Sequence, residues 1–174
     1  MKDNTTEILK ARAKALAREP DGTDVSGGGI QVLEFVLSYE RYGIESRFVR
    51  EVYPLKALTP VPCTPAFVLG IINVRGRILS VIDIKKFFEL PEQGLAELSQ
   101  AVIVSNDAME FGILADSIAG FRFVSTAGIL PALPTLTGIR QDYLKGLTRD
   151  RVVILDARKL LSETTLVVNE RVQN

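Results

Sequence analysis

Few of the 174 residues are of kinds that do chemistry. Histidine is absent, which removes the commonest general base near neutral pH and the commonest transition-metal ligand. A carboxylate pair is the first remaining candidate. Asp83 in "VIDIKKFF" and Asp156 in "ILDARKLL" each end an apolar strand pattern and open a short helical one. There a carboxylate accepts the free backbone N–H groups of the first helical turn, so both are read as helix caps. Asp116 in "LADSIAG" follows a strand and is read as a turn residue. Cys63, between prolines in "PVPCTP", has no histidine to activate it and is read as a small, partly buried filler. A single cysteine forms no disulfide within the chain and suits a reducing compartment. The "GGG" at 27–29 lacks the Lys-Ser/Thr and following helix of a phosphate loop. There is no Cys/His cluster for zinc and no acidic loop for calcium. No catalytic residue, metal or cofactor is expected.

One charged position stands out instead. In "GIINVRGRILSVIDI", residues 70–84, two apolar runs are separated by Asn73-Val74-Arg75-Gly76-Arg77. An arginine between two core strands reaches solvent, pairs with a carboxylate or serves a partner. Its planar fork suits the last two roles, because it can bind a carboxylate through two parallel hydrogen bonds. A plain loop arginine and a docking residue both remain open on this pattern alone.

The elements that must carry these residues are mostly strands. In "LEFVLSY", Leu33, Phe35, Leu37 and Tyr39 alternate with Glu34, Val36 and Ser38, the period of a strand with one buried face. "ERYGI" reads as a tight turn entering a second strand; "RILSVIDI", "QAVIVS", "EFGILAD", "GFRFVS" and "RVVILD" are further short strands. Beyond residue 30, helix is expected only after Asp83 and Asp156, with a further turn in "ESRFVREV".

These elements repeat. "RILSVIDIKKFFEL" is echoed by "RVVILDARKLLSE", and Tyr42-Gly43-Ile44 by Phe111-Gly112-Ile113. The Asp pair is 73 residues apart (83 and 156), the central Gly pair 69 (43 and 112), and Gly70 precedes Gly146 by 76. Three matches in one order indicate a duplicated β unit. Each half has about 70 residues, too few to be comfortable alone, so the halves are expected to pack together and leave a groove.

The first 30 residues differ from the rest. Asn4 and Glu7 are spaced as a capping pair, Leu9, Ala13 and Leu16 share one helical face, and Lys10, Lys14 and Arg18 share another. "DGTDVSGGG" then reads as a flexible linker. A basic amphipathic helix that docks on a partner and a loosely packed terminal helix both fit this pattern.

Lys and Arg number 21, as do Asp and Glu, so neither nucleic acid nor an anionic membrane is favoured as a partner. No apolar run approaches the roughly 18 residues of a membrane span, and the N-terminus lacks a signal-peptide core. A cytoplasmic protein without direct membrane insertion is expected.

The stretch "TPAFVLGIINVRGRILSVIDIKKFF" resembles the signature of the CheW family, the coupling proteins of bacterial chemotaxis. The resemblance runs from about residue 31 to 165 and includes "YGIESRFVREVYPL", "FGILAD", "YLKGL" and "RVVILDARKLL". It implies a mainly β fold of two intertwined five-stranded SH3-like barrels with short helices, over residues 31–174, preceded by the N-terminal helix and linker of residues 1–30. It also implies an adaptor without catalysis, which bridges the cytoplasmic tips of chemoreceptors to the regulatory domain of a CheA-type histidine kinase.

By motif, Arg75 and Gly76 match the family's loop beside the receptor-binding groove, and Val49 and Glu51 match positions facing that groove. Glu51 is then the natural carboxylate partner for Arg75. Gly70, Ile118 and Gly146 fall where the family has residues implicated in receptor or kinase coupling. For the two glycines, backbone geometry is the stronger reading; for Val49 and Ile118, core packing and surface contact are both open. Val74 replaces the usual leucine, and the loop after "YLKGL" is shorter than in the family. Two rivals remain: a coupling protein of a related pathway controlling pili or another output, and a carboxylate-based hydrolase using Asp83 and Asp156.

Overall fold

The computed structural model describes residues 28–90, 100–131 and 139–166. The N-terminal helix expected from Asn4 onward lies outside the described residues. Eleven strands are described: β1 (Gly29–Leu37), β2 (Glu40–Glu45), β3 (Val49–Pro54), β4 (Val68–Val74), β5 (Arg77–Ile82), β6 (Gln100–Ser105), β7 (Glu110–Ala115), β8 (Ser117–Ser125), β9 (Ile129–Leu130), β10 (Leu144–Thr148) and β11 (Val153–Leu155). Two four-residue helices, α1 (Ile84–Phe87) and α2 (Ala157–Leu160), follow β5 and β11.

Both helices start where a carboxylate caps them. Asp83 accepts from the N–H groups of Lys85 and Lys86, and Asp156 from that of Lys159. Helices this short are not stable by propensity, so the cap and burial on the core hold them. With both carboxylates bound to their own helices, the hydrolase reading loses its best candidates.

The strands form two sheets, in the orders β3-β6-β7-β5-β4 and β8-β1-β2-β11-β10-β9. The first has the expected five strands; the second has a sixth because the two-residue β9 pairs with the end of β10. The duplication is visible in the pairing. Val81 of β5 faces Gly112 of β7, and Ile154 of β11 faces Gly43 of β2, each in a parallel pair. The five-stranded sheet therefore combines β6 and β7, the first two strands of the second repeat, with the last three of the first, and the six-stranded sheet combines β1 and β2 with the last four of the second. The repeats exchange strands, so neither could fold while keeping its own strands together.

This exchange determines which faces are buried. Leu33, Phe35 and Leu37 of β1 join Tyr42, Ile44, Val102, Val104, Phe111 and Ile113 in one core shared by both sheets. Inside each barrel lies a smaller cluster: Ile72, Val74, Leu79, Val81, Ala101 and Ile103 in one, Val32, Val124, Val152 and Ile154 in the other. β1 thus lies between a barrel interior and the shared core. That corrects the one-faced strand expected from its alternation, since Glu34 is only 6% exposed. Tyr39 does not extend the buried face either. Ser38 and Tyr39 form a two-residue turn between β1 and β2, both with positive φ, which turns the Tyr39 side chain into solvent. The turn is anchored by Asp116, whose Oδ2 accepts from the Ser38 N–H at 2.6 Å.

Cys63 corrects a second expectation. It is exposed, in the loop between β3 and β4, with φ of 61°. The prolines on either side keep this segment from pairing as a central strand, and loops of that kind run over the surface.

Candidate interaction surface

Arg75 and Gly76 are the two central residues of the hairpin joining β4 to β5, where Val74 pairs with Arg77. Their φ values, 52° and 86°, are the left-handed pair of a type I′ turn. Such a turn matches the twist of its strands and favours Asn-Gly or Gly-Gly. Asn73 braces it, its Oδ1 accepting from the Gly76 N–H at 2.8 Å. Gly76 is thus explained by the turn. Arg75 is not, because a side chain in this region costs about 1–2 kcal/mol that asparagine or glycine largely avoids.

The carboxylate of Glu51 lies 3.2 Å from Arg75 Nη2. Glu51 sits on β3, at one end of the sheet order, while Arg75 is at the tip of the β4–β5 hairpin at the other. A second bond spans the same gap, from the Tyr53 hydroxyl to the Asn73 carbonyl at 3.2 Å. The ion pair thus helps curl the sheet into a barrel. Glu51 is largely covered, at 20% exposure, whereas Arg75 keeps 80% of its side chain in solvent.

Three residues not singled out in the sequence complete the arrangement. Arg77 approaches Glu51 at 3.7 Å and also pairs with Glu110, which Arg50 meets at 3.1 Å. The result is a chain of five alternating charges: Arg75, Glu51, Arg77, Glu110, Arg50. Contacts between residues 33 and 60 positions apart in sequence carry no local signal.

The remaining predicted residues divide into two pairs. Val49 and Ile118 occupy equivalent places in the duplication: Val49 pairs with Val104 and Ile118 with Phe35, and each is 69 residues from its counterpart. Both are half-buried against the shared core, so packing and surface contact both apply. Val49 is two residues from Glu51 on β3; Ile118 lies on the other sheet.

Gly70 and Gly146 are also equivalent, each at a strand irregularity with φ near 150°. A Cβ at Gly70 would fall on the Thr59 carbonyl oxygen, and one at Gly146 on that of Leu130. Both glycines are required by the close passage of a neighbouring backbone.

The other barrel has its own polar closure, also unforeseen. Arg122 of β8 donates to Asp150 in the β10–β11 turn at 2.6 Å, and the Thr148 hydroxyl donates to Asp150 at 2.8 Å. These bonds hold the Asp150 carboxyl well below the usual carboxylate range, and the same bond raises Arg122. Buried Glu34 accepts ion pairs from Arg122 at 2.9 Å and Arg41 at 3.3 Å.

Among the described residues, no group of three or more His, Cys, Asp or Glu could hold a metal ion. No described helix is long and apolar enough to cross a membrane.

Comparisons with known proteins bear on the family and the fold. A family model described as the CheW-like domain matches residues 31–165. The chemotaxis protein CheW of Treponema pallidum is 34% identical over 143 residues, covering 78% of this chain and 84% of that protein. FrzA of Myxococcus xanthus is 31% identical over 127 residues, covering 70% and 78%. The crystal structure of the scaffolding protein TtCheW from Thermoanaerobacter tengcongensis superposes with a TM-score of 0.63 at 31% identity, covering 72% of this chain and 88% of that one.

Proposed function

Because the chain belongs to the CheW-like family, we propose that it is an adaptor that couples chemoreceptors to a CheA-type histidine kinase. The relatives named above as chemotaxis and scaffolding proteins support the coarser part of this reading. One observation carries the finer part. Arg75 occupies a turn position that the fold would fill better with asparagine, held by Glu51 yet four-fifths exposed.

An amphipathic helix from the receptor tip would lay its apolar side chains along the junction of the barrels, near Val49 and Ile118, with Arg75 and Glu51 at its flank. A separate surface would meet the kinase regulatory domain barrel to barrel. Coupling is then a change in relative affinity between partners, with no chemistry on a substrate. Recruitment to receptor arrays from the cytoplasm follows from the same reading. A coupling protein for a related output is the second reading, favoured by the 31% identity to FrzA, whose name, unlike that of the CheW relative, does not mention chemotaxis.

The test is binding of wild type, Arg75→Glu and Glu51→Ala to a purified receptor-tip fragment and, separately, to the kinase regulatory domain, with circular dichroism as the check on folding. Both variants are expected to stay folded, lose receptor affinity by ~10-fold or more, and keep the kinase. A wild type that binds neither fragment overturns the reading.

A further inference from the structure

The five-residue ion chain has a charge excess. Arg50, Arg75 and Arg77 supply three positive charges against two carboxylates, Glu51 and Glu110, so one positive charge has no match within this five-residue cluster. Its location follows from the exposures. Arg77 touches both carboxylates and Arg50 is spent on Glu110, whereas Arg75 places Nη2 3.2 Å from Glu51 and keeps 80% of its side chain exposed. The free part of its fork is the place where the excess reaches solvent.

What holds it there lies further along the chain. Glu110 draws Arg77 toward β7, so that Arg77 stands 3.7 Å from Glu51 and leaves the other carboxylate oxygen to Arg75. Without Glu110, Arg77 would be free to move fully onto Glu51 and compete with Arg75 for it. We infer that Glu110 and Arg77 are positioning residues for this surface, and that the partner helix meets Arg75 with an aspartate or glutamate side chain. A carboxylate matches the open fork through paired N–H···O bonds, which a neutral amide cannot reproduce. The inference rests on the proposed receptor docking and names the chemistry of the contact.

Charge and position make opposite predictions for one variant. Glu110→Gln raises the excess of the cluster from one positive charge to two. A surface that merely attracts acid would then bind a receptor-tip fragment more tightly. The positioning role predicts weaker binding, by ~3-fold or more, because Arg75 loses its hold on Glu51. Arg77→Lys keeps the charge but not the fork that holds Arg77 on Glu110 while it touches Glu51; a single ammonium that leaves Glu110 for Glu51 displaces Arg75, and the same weakening is expected.

The second arm is a charge exchange. Each acidic residue of the receptor-tip fragment is changed to lysine and titrated against Arg75→Glu. One such change is expected to restore affinity to within ~3-fold of the native pair, while weakening binding to wild type. Tighter or unchanged binding by Glu110→Gln overturns the positioning role, and failure of every lysine substitution to rescue overturns the carboxylate. If the wild type does not bind the fragment, the receptor reading itself fails and the inference fails with it.

Discussion

Arg122 on β8 and Asp150 in the β10–β11 turn are 2.6 Å apart, and they close the six-stranded sheet much as Glu51 and Arg75 close the five-stranded one. The closures sit at corresponding ends of the two barrels but use different residues. The duplicated backbone fixes a place where edge strands must be joined, and each barrel fills it with its own charges.

Asp150 makes this testable by pH. Its carboxyl is held below the usual value by the Arg122 and Thr148 bonds. Its stabilisation is therefore fully present above about pH 4 and lost as pH falls through the lowered folded value. Half the side chain is exposed, so the effect is modest. Asp150→Asn is expected to cost up to about 1 kcal/mol near neutrality, with the difference shrinking in acid. Urea denaturation across a pH series measures it; a difference that grows in acid would count against the clasp.

For Arg75, stability and binding should separate. Arg75→Asn removes an exposed ion pair worth about 0–1 kcal/mol but relieves a left-handed side chain costing about as much. The midpoint of thermal unfolding is expected to stay level or rise while receptor-tip affinity falls. A clear loss of stability would make Arg75 a structural residue.

Gly70→Ala and Gly146→Ala should each destabilise by more than about 2 kcal/mol, because the new methyl meets a fixed carbonyl. Gly76→Ala has open space around it and only backbone strain to bear, about 1 kcal/mol. Chemical denaturation of the three variants gives the order. Any loss of partner binding by the first two is expected to follow unfolding rather than a removed contact.

Tyr143 donates to Glu163 at 2.6 Å, and its phenol is pushed up to about 12, chiefly by that bond. The neutral phenol is the stabilised form, so this contribution is complete below about pH 10 and is lost as pH rises through 12. Glu163→Ala should return the phenolate transition toward pH 10, read by ultraviolet titration.

Much of the fold was legible because its signals are local. Asp83 and Asp156 cap helices that begin one residue later, and each repeat carries its own copy of that join. The resemblance named a partner for Arg75 by motif, and Glu51 stands there at 3.2 Å. Expectations failed where burial depends on what packs from afar. The alternation in β1 could not reveal that a second sheet covers its other face, nor that Tyr39 begins a turn.

The sequence by itself determined the capped helices, the glycine positions and the family motif, each encoded by residues a few positions apart, and the duplicated β plan, in which such local patterns recur 69 to 76 residues on. Tertiary structure alone decided that the repeats exchange strands, and thereby which charges meet. Glu110 reaches Arg77 and Arg50 only because β7 is carried into a sheet with β3 and β5 of the other repeat. An ion pair depends on distance in space, and here chain crossing, not sequence spacing, sets that distance.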